Sequence, residues 1–146
     1  MTRMVGTQDA ADLTQQVFLQ VYRKIQQFSG KSQFGTWIYR VATNEALQHR
    51  RRIQSRPSQP LVVEPVSEEG DIFAIEQREL LDRALTSIEP GLRAIFLLRE
   101  VEGLSYAELA QVLEVPAGTV GSRLNRARRE LKAELARVAT PKTNRN

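Results

Sequence analysis

The sequence has no cysteine and a single histidine, His49. The first absence excludes disulfides and thiolate metal sites, and one imidazole does not make a zinc site, so no metal or cofactor is expected. No run approaches the roughly 18 apolar residues of a membrane span. The opening MTRMVGTQDA lacks the apolar core of a signal peptide, so a soluble cytoplasmic protein is expected. Nowhere do apolar and polar residues alternate as on a half-buried strand, so the fold class is all-α. Glu130 and Glu134 lie at ordinary helix-surface spacing, and His49 has no nucleophile motif beside it. Neither catalysis nor a small-molecule substrate is expected.

What is present is charge in segments. Residues 1–56 carry nine Lys/Arg and three Asp/Glu, residues 57–77 carry five acids and no base, and residues 78–146 carry twelve bases and nine acids. Basic, acidic, basic describes a segmented polyanion binder with an acidic spacer. The spacer SRPSQPLVVEPVSEEGD contains Pro57, Pro60 and Pro65, which oppose regular helix. Two helical lobes, 1–54 and 75–138, are expected on either side of an extended acidic linker, 55–74, with a flexible tail at 139–146.

In the first lobe Ala10, Leu13, Val17, Val21, Ile25 and Phe28 recur at three- and four-residue spacing, with Asp9 as N-cap. At 100° per residue, Asp12, Gln15, Gln16, Leu19 and Arg23 fall on the opposite side. A leucine among them is either a partner contact or an ordinary exposed residue. After SGKSQ, a second helix should bury Phe34, Ile38, Val41 and Ala42, with Trp37 and Tyr39 on its flanks. Thr36, Arg40, Thr43, Arg50 and Arg51 should point outward. Aromatics beside arginines suit single-stranded DNA. They equally suit a core tryptophan next to a basic helix end that complements the helix dipole, with His49 solvated there.

The second lobe should hold four helices. The first covers roughly Ile75–Ser87, and the second runs from Pro90 to a stop at Gly103. A third, short helix opens at Ser105 with Glu108 three residues on, a capping box. The turn EVP then leads into a fourth helix from about Ala117. This is a helix-turn-helix pattern. Val120, Leu124, Ala127 and Leu131 lie within about 60° of one another at the helical repeat and form its buried stripe. Ser122, Asn125, Arg126 and Arg129 point away, with Arg123 and Arg128 flanking. Asparagine and arginine grip adenine and guanine edges with paired hydrogen bonds, and Thr119 and Tyr106 can donate to phosphates. Gly121 faces sideways, where it either admits the DNA backbone or merely removes a contact.

The segments DAADLTQQVFLQVYRKI, FGTWIYRVATN and LREVEGLSYAELAQVLEVPAGTVGSRLNRARREL, in this order, resemble bacterial extracytoplasmic-function (ECF) RNA polymerase sigma factors of the sigma-70 superfamily. The resemblance covers nearly all of residues 9–135. It implies a protein that directs core RNA polymerase to promoter DNA and initiates transcription, commonly held inactive by an anti-sigma factor. It implies that Asp12, Gln15, Gln16 and Leu19 dock on polymerase. Lys31, Trp37, Arg40 and Asn44 would then serve the opened −10 element. The −35 element would be read through Ser122, Arg123, Asn125, Arg126 and Arg129, with Thr119, Arg99 and Tyr106 near phosphates, and the linker would thread toward the active-site cleft.

Three departures stand out. Only eight residues precede Asp9, where family members carry further helices, so the chain reads as shortened and its first two helices as a marginal core. Gly121 stands where a basic residue is frequent, and Gln16 where a glutamate is. Two rival readings remain: a dimeric helix-turn-helix regulator that never touches polymerase, and a truncated decoy that titrates an anti-sigma factor.

Overall fold

The computed structural model describes residues 2–54 and 72–139. The linker segment 55–71 and the tail 140–146 lie outside the described residues. Among those described, all regular structure is helical: α1 (Thr2–Val5), α2 (Thr7–Lys24), α3 (Phe34–Gln54), α4 (Ile72–Ser87), α5 (Pro90–Glu100), α6 (Tyr106–Leu113) and α7 (Ala117–Ala139), with a 3₁₀ turn at Ile25–Gln27.

Several boundaries and faces differ from expectation. Helix α2 starts at Thr7 with Gly6, at φ +84°, in the N-cap position, so Asp9 lies inside the first turn. There Asp9 meets the His49 ring at 3.2 Å, and His49 is a half-buried partner rather than a solvated helix end. Leu13 and Val17 are buried as expected, whereas Ile25 is exposed. The tighter 3₁₀ turn beginning at Ile25 shifts its azimuth off the apolar stripe. Helix α4 begins at Ile72, three residues before its expected start and inside the stretch taken as linker.

The first lobe is more than two helices. Met4 and Val5 of α1 are buried with Leu13 and Ala46, and Ala94 of α5 joins the same cluster. The expected marginal core therefore gains both a further turn and a contribution from the second lobe. That lobe closes around Leu85, Ile95, Leu98, Leu109, Val112, Val120, Leu124, Ala127 and Leu131.

The two lobes pack directly against each other along α3. Thr36, Thr43 and Arg50, expected to face outward, are 5%, 8% and 7% exposed. Helical periodicity separates the face turned to α2 from its opposite, but it does not reveal that the opposite face meets α5 and α6. Tyr39 donates to the Glu102 carboxylate at 2.7 Å, which raises the phenol above its usual 10. Thr36 hydrogen-bonds Glu108, and Arg40 pairs with Glu114 at 3.8 Å.

One residue ties the assembly together. Arg93, 1% exposed, donates from Nε to the carbonyl of Leu85 at 2.6 Å. Its terminal nitrogens donate to the carbonyls of Thr86 and Ile88, and to Met4 at 2.9 Å. The orphan carbonyls at the end of α4 are thereby satisfied from α5.

Candidate nucleic-acid interface

Helix α7 presents the face its spacing predicted. Val120, Leu124 and Ala127 are fully buried and Leu131 nearly so. Ser122, Arg123, Asn125, Arg126 and Arg129 stand exposed on the other side. The preceding turn is fixed by local chemistry. Ser105 caps α6 by accepting from the Glu108 amide at 3.1 Å, and the Glu108 carboxylate returns the contact to the Ser105 amide at 3.2 Å. These contacts hold the Glu108 carboxyl below its ordinary value. Glu114 ends α6 in the left-handed region at φ +54°, and its amide donates to Ala110. That residue turns the chain sharply enough for Pro116 and Ala117 to start α7.

Not every cation near this face is free to meet DNA. Arg128 is gripped by Glu100 at 2.7 Å and also hydrogen-bonds Tyr106, so it braces α7 against α5. Arg99 donates to the Leu104 carbonyl at 2.8 Å and lies over the Tyr106 ring, 5.3 Å from its centroid. Arg99 therefore positions the loop and Tyr106 with one of its five N–H donors engaged. Arg126 shares Glu130 at 2.9 Å on the exposed surface, a contact cheap to exchange for a base edge. Thr119 donates to the Pro116 carbonyl and Ser122 to that of Thr119, so both hydroxyl oxygens can accept from a base edge, whereas Thr119 must release Pro116 before it can donate to a phosphate as expected. Gly121 is half-buried, and a Cβ there would meet the Tyr106 ring at 3.8 Å; it faces Tyr106, not open groove.

In the first lobe Trp37 is 6% exposed, within a cluster with Phe28 at 5.6 Å and Phe34 at 5.8 Å. Its rings are covered, so in the free chain it is a core tryptophan. Phe34, placed in the core by spacing, is instead half-exposed on the edge of that cluster. Lys31, in the loop after Gly30, and Asn44 on α3 are exposed, whereas Arg40 is partly covered by the second lobe. On α2, Asp12, Gln15, Gln16 and Leu19 are all exposed. Sequence reasoning missed their neighbours Phe18 and Tyr22, which are 69% and 81% exposed. The signal was present: both fall off the Leu13–Val17 stripe, so two large aromatics had no place in the core.

Among the described residues, no group of three His, Asp or Glu side chains converges as a metal site, and no helix is long and apolar enough to cross a membrane.

Comparison with known proteins bears directly on these elements. The Sigma-70 region 2 family matches residues 1–56, and the Sigma-70, region 4 family matches residues 78–131. The ECF RNA polymerase sigma-E factor of Escherichia coli K12 is 34% identical over 142 aligned residues, covering 88% of this chain and 74% of that protein. That of Haemophilus influenzae is 32% identical, covering 88% and 75%. The fold matches the sigma factor RpoE of Bartonella quintana, solved with the anti-sigma factor NepR, with a TM-score of 0.74 at 22% identity over 95% of this chain and 88% of that one. It also matches CnrH, solved with the cytosolic domain of CnrY, with a TM-score of 0.66 at 21% identity over 95% and 78%. With a helix-turn-helix whose polar face is exposed, an all-α first lobe carrying an exposed polar and aromatic stripe, and relatives matched across both, the chain belongs to the ECF family of RNA polymerase sigma factors.

Proposed function

We propose that this sigma factor reads the −35 element through Ser122, Arg123, Asn125, Arg126 and Arg129 of α7, and docks core polymerase through Asp12, Gln15, Gln16 and Leu19 of α2, joined by Phe18 and Tyr22. Lys31 and Asn44, with Arg40 beside them, serve the opened −10 element, and Trp37 shapes that lobe from within. Thr119 and Tyr106 flank the duplex backbone, and Arg99 holds Tyr106 in place. The units are a lobe over 1–54, a linker, and a helix-turn-helix domain ending near residue 138. The observation that carries this reading is a helix with four buried apolar residues on one side and an unbroken row of serine, asparagine and arginines on the other.

The mechanism is binding, not catalysis, and its setting is the cytoplasm. Duplex contacts anchor polymerase, and unstacked −10 bases are held by the first lobe at a cost offset by their new contacts. Two weak sites on one polymerase gain from effective concentration. With Arg40 paired to Glu114 and Thr36 and Thr43 buried, the lobes must part before the covered side of α3 can meet DNA, so the free protein binds promoters poorly. An anti-sigma partner, as NepR is in the solved Bartonella quintana complex, suits this chain as well.

Run-off transcription with core polymerase tests the whole reading. Promoter-dependent initiation is the expected outcome, while DNA binding with no polymerase binding would favour a simple regulator. Arg126→Ala should weaken −35 duplex binding by about 1–3 kcal/mol in a fluorescence titration, the worth of a bidentate base contact. Asp12→Ala with Gln15→Ala should weaken polymerase binding and leave isolated −35 binding intact.

A further inference from the structure

Where the lobes meet, α3 and α5 run side by side, and a cavity opens toward each end of α5. Near its C-terminal end the cavity is apolar, about 270 Å³, bordered by Ala42, Ala46, Leu97 and Val101. The cleft near its start is larger, about 470 Å³, and of another character. Its floor is Leu47, Leu92 and Leu113, and its rim is Arg51 from the first lobe with Arg123 and Arg126 from α7.

Three guanidiniums here face one carboxylate of the lining, that of Glu89. Arg51 and Arg123 make no ion pair among the described residues, and Arg126 shares the exposed Glu130. Next in sequence to two lining residues sits a second pair of cations. Arg50 is 7% exposed and its Nε has no hydrogen-bond partner among the described residues. Burial, and after it the charge of Arg50, lower the Arg93 guanidinium to about 10. Excess positive charge gathered around one cleft favours an anion. Planar guanidiniums suit phosphate oxygens through paired hydrogen bonds. An apolar floor beneath a cationic rim adds a demand for a flat, weakly polar body attached to the anion. The volume lies within the range of small-molecule sites.

We propose that this cleft binds a nucleoside di- or triphosphate, its base over Leu47, Leu92 and Leu113 and its phosphates between Arg51 on one lobe and Arg123 and Arg126 on the other. The ligand bridges the lobes, holds them together, and occupies two arginines of the DNA-reading helix. The competition with DNA rests on the reading of α7 as the −35 reader. Binding itself does not rest on it and is measured without DNA or polymerase.

The test is calorimetric titration of the full chain with GDP and, separately, with pyrophosphate at low salt. One GDP per chain is expected, with pyrophosphate at least ten-fold weaker because it lacks a body for the floor. Arg51→Glu should weaken GDP ten-fold or more with an unchanged melting curve, Arg51→Lys should retain most of the affinity, and Glu89→Gln should tighten binding several-fold. Absence of saturable binding, equal affinity for pyrophosphate and GDP, or indifference to Arg51→Glu would each overturn the proposal. So would a −35 duplex affinity that falls in Arg51→Glu as far as GDP affinity does, since the phosphate recognised would then belong to DNA. GDP binding in a chain that fails to initiate transcription would leave this site standing and remove only the promoter reading.

Discussion

Arg93 sits in PGLRAIFLLRE, where pattern alone makes it a polar interruption of an apolar helix and sends it toward solvent. Its four carbonyl partners come from Met4, Leu85, Thr86 and Ile88, and no local rule announces that one side chain will collect them. Arginine suits the place because its fork spreads donors over several acceptors, and even near 10 it stays charged at neutral pH. Arg93→Met keeps volume but strands buried carbonyls, and should cost about 3 kcal/mol or more in a denaturant titration. Trp37 teaches the same lesson from the other side. Its type and its arginine neighbours were consistent with base stacking, and only the packing of Phe28 and Phe34 decides for the core.

At the scale of the element, α6 and α7 were the most legible part of the chain. Capping box, turn proline and a three-four apolar repeat are all local signals, and each is met in the fold by the same residues. Glu114 was less legible, because a left-handed glutamate carries no compositional mark. Gly121 sits in the second turn of α7, where an added methyl meets Tyr106 at ordinary contact distance. Gly121→Ala should therefore raise stability by about 1 kcal/mol in a thermal melt, the propensity difference between the two residues. The capping box also sets an acid limit. Since folding holds the Glu108 carboxyl below its ordinary 4.5, its contribution is present above that value and is lost as pH falls through the lower, folded one. Melting temperatures of the parent and of Glu108→Gln should converge in that acidic window and separate above it.

Across the whole molecule, the expected two lobes are present but are not independent. Their polar contact runs through Thr36, Tyr39 and Arg40 on one side and Glu108, Glu102 and Glu114 on the other, with Thr43 buried beside it. Amphipathic spacing could not reveal this polar part of the seam, which is indistinguishable in sequence from a wet surface; the apolar part, Ala94 against Met4, Val5 and Ala46, is carried by residues with no mark of their own. Thr43→Arg would drive a long cation into this buried seam. Small-angle scattering should then show a larger radius of gyration with helix content unchanged by circular dichroism, and an unchanged radius would mean that the seam tolerates the insertion.

The hydrogen bond from Arg93 to the Met4 carbonyl joins residues 89 apart in sequence. During synthesis the turn holding Met4 and Val5 leaves the ribosome long before α5 exists, and domains form in order of emergence. Until Arg93 arrives, Met4 and Val5 lack Ala94, their neighbour from the second lobe, and the Met4 carbonyl lacks its guanidinium. Closing so long a loop is a slow, late event. The first lobe therefore gains its last contacts only once α5 has been made, ahead of the helix-turn-helix that follows it.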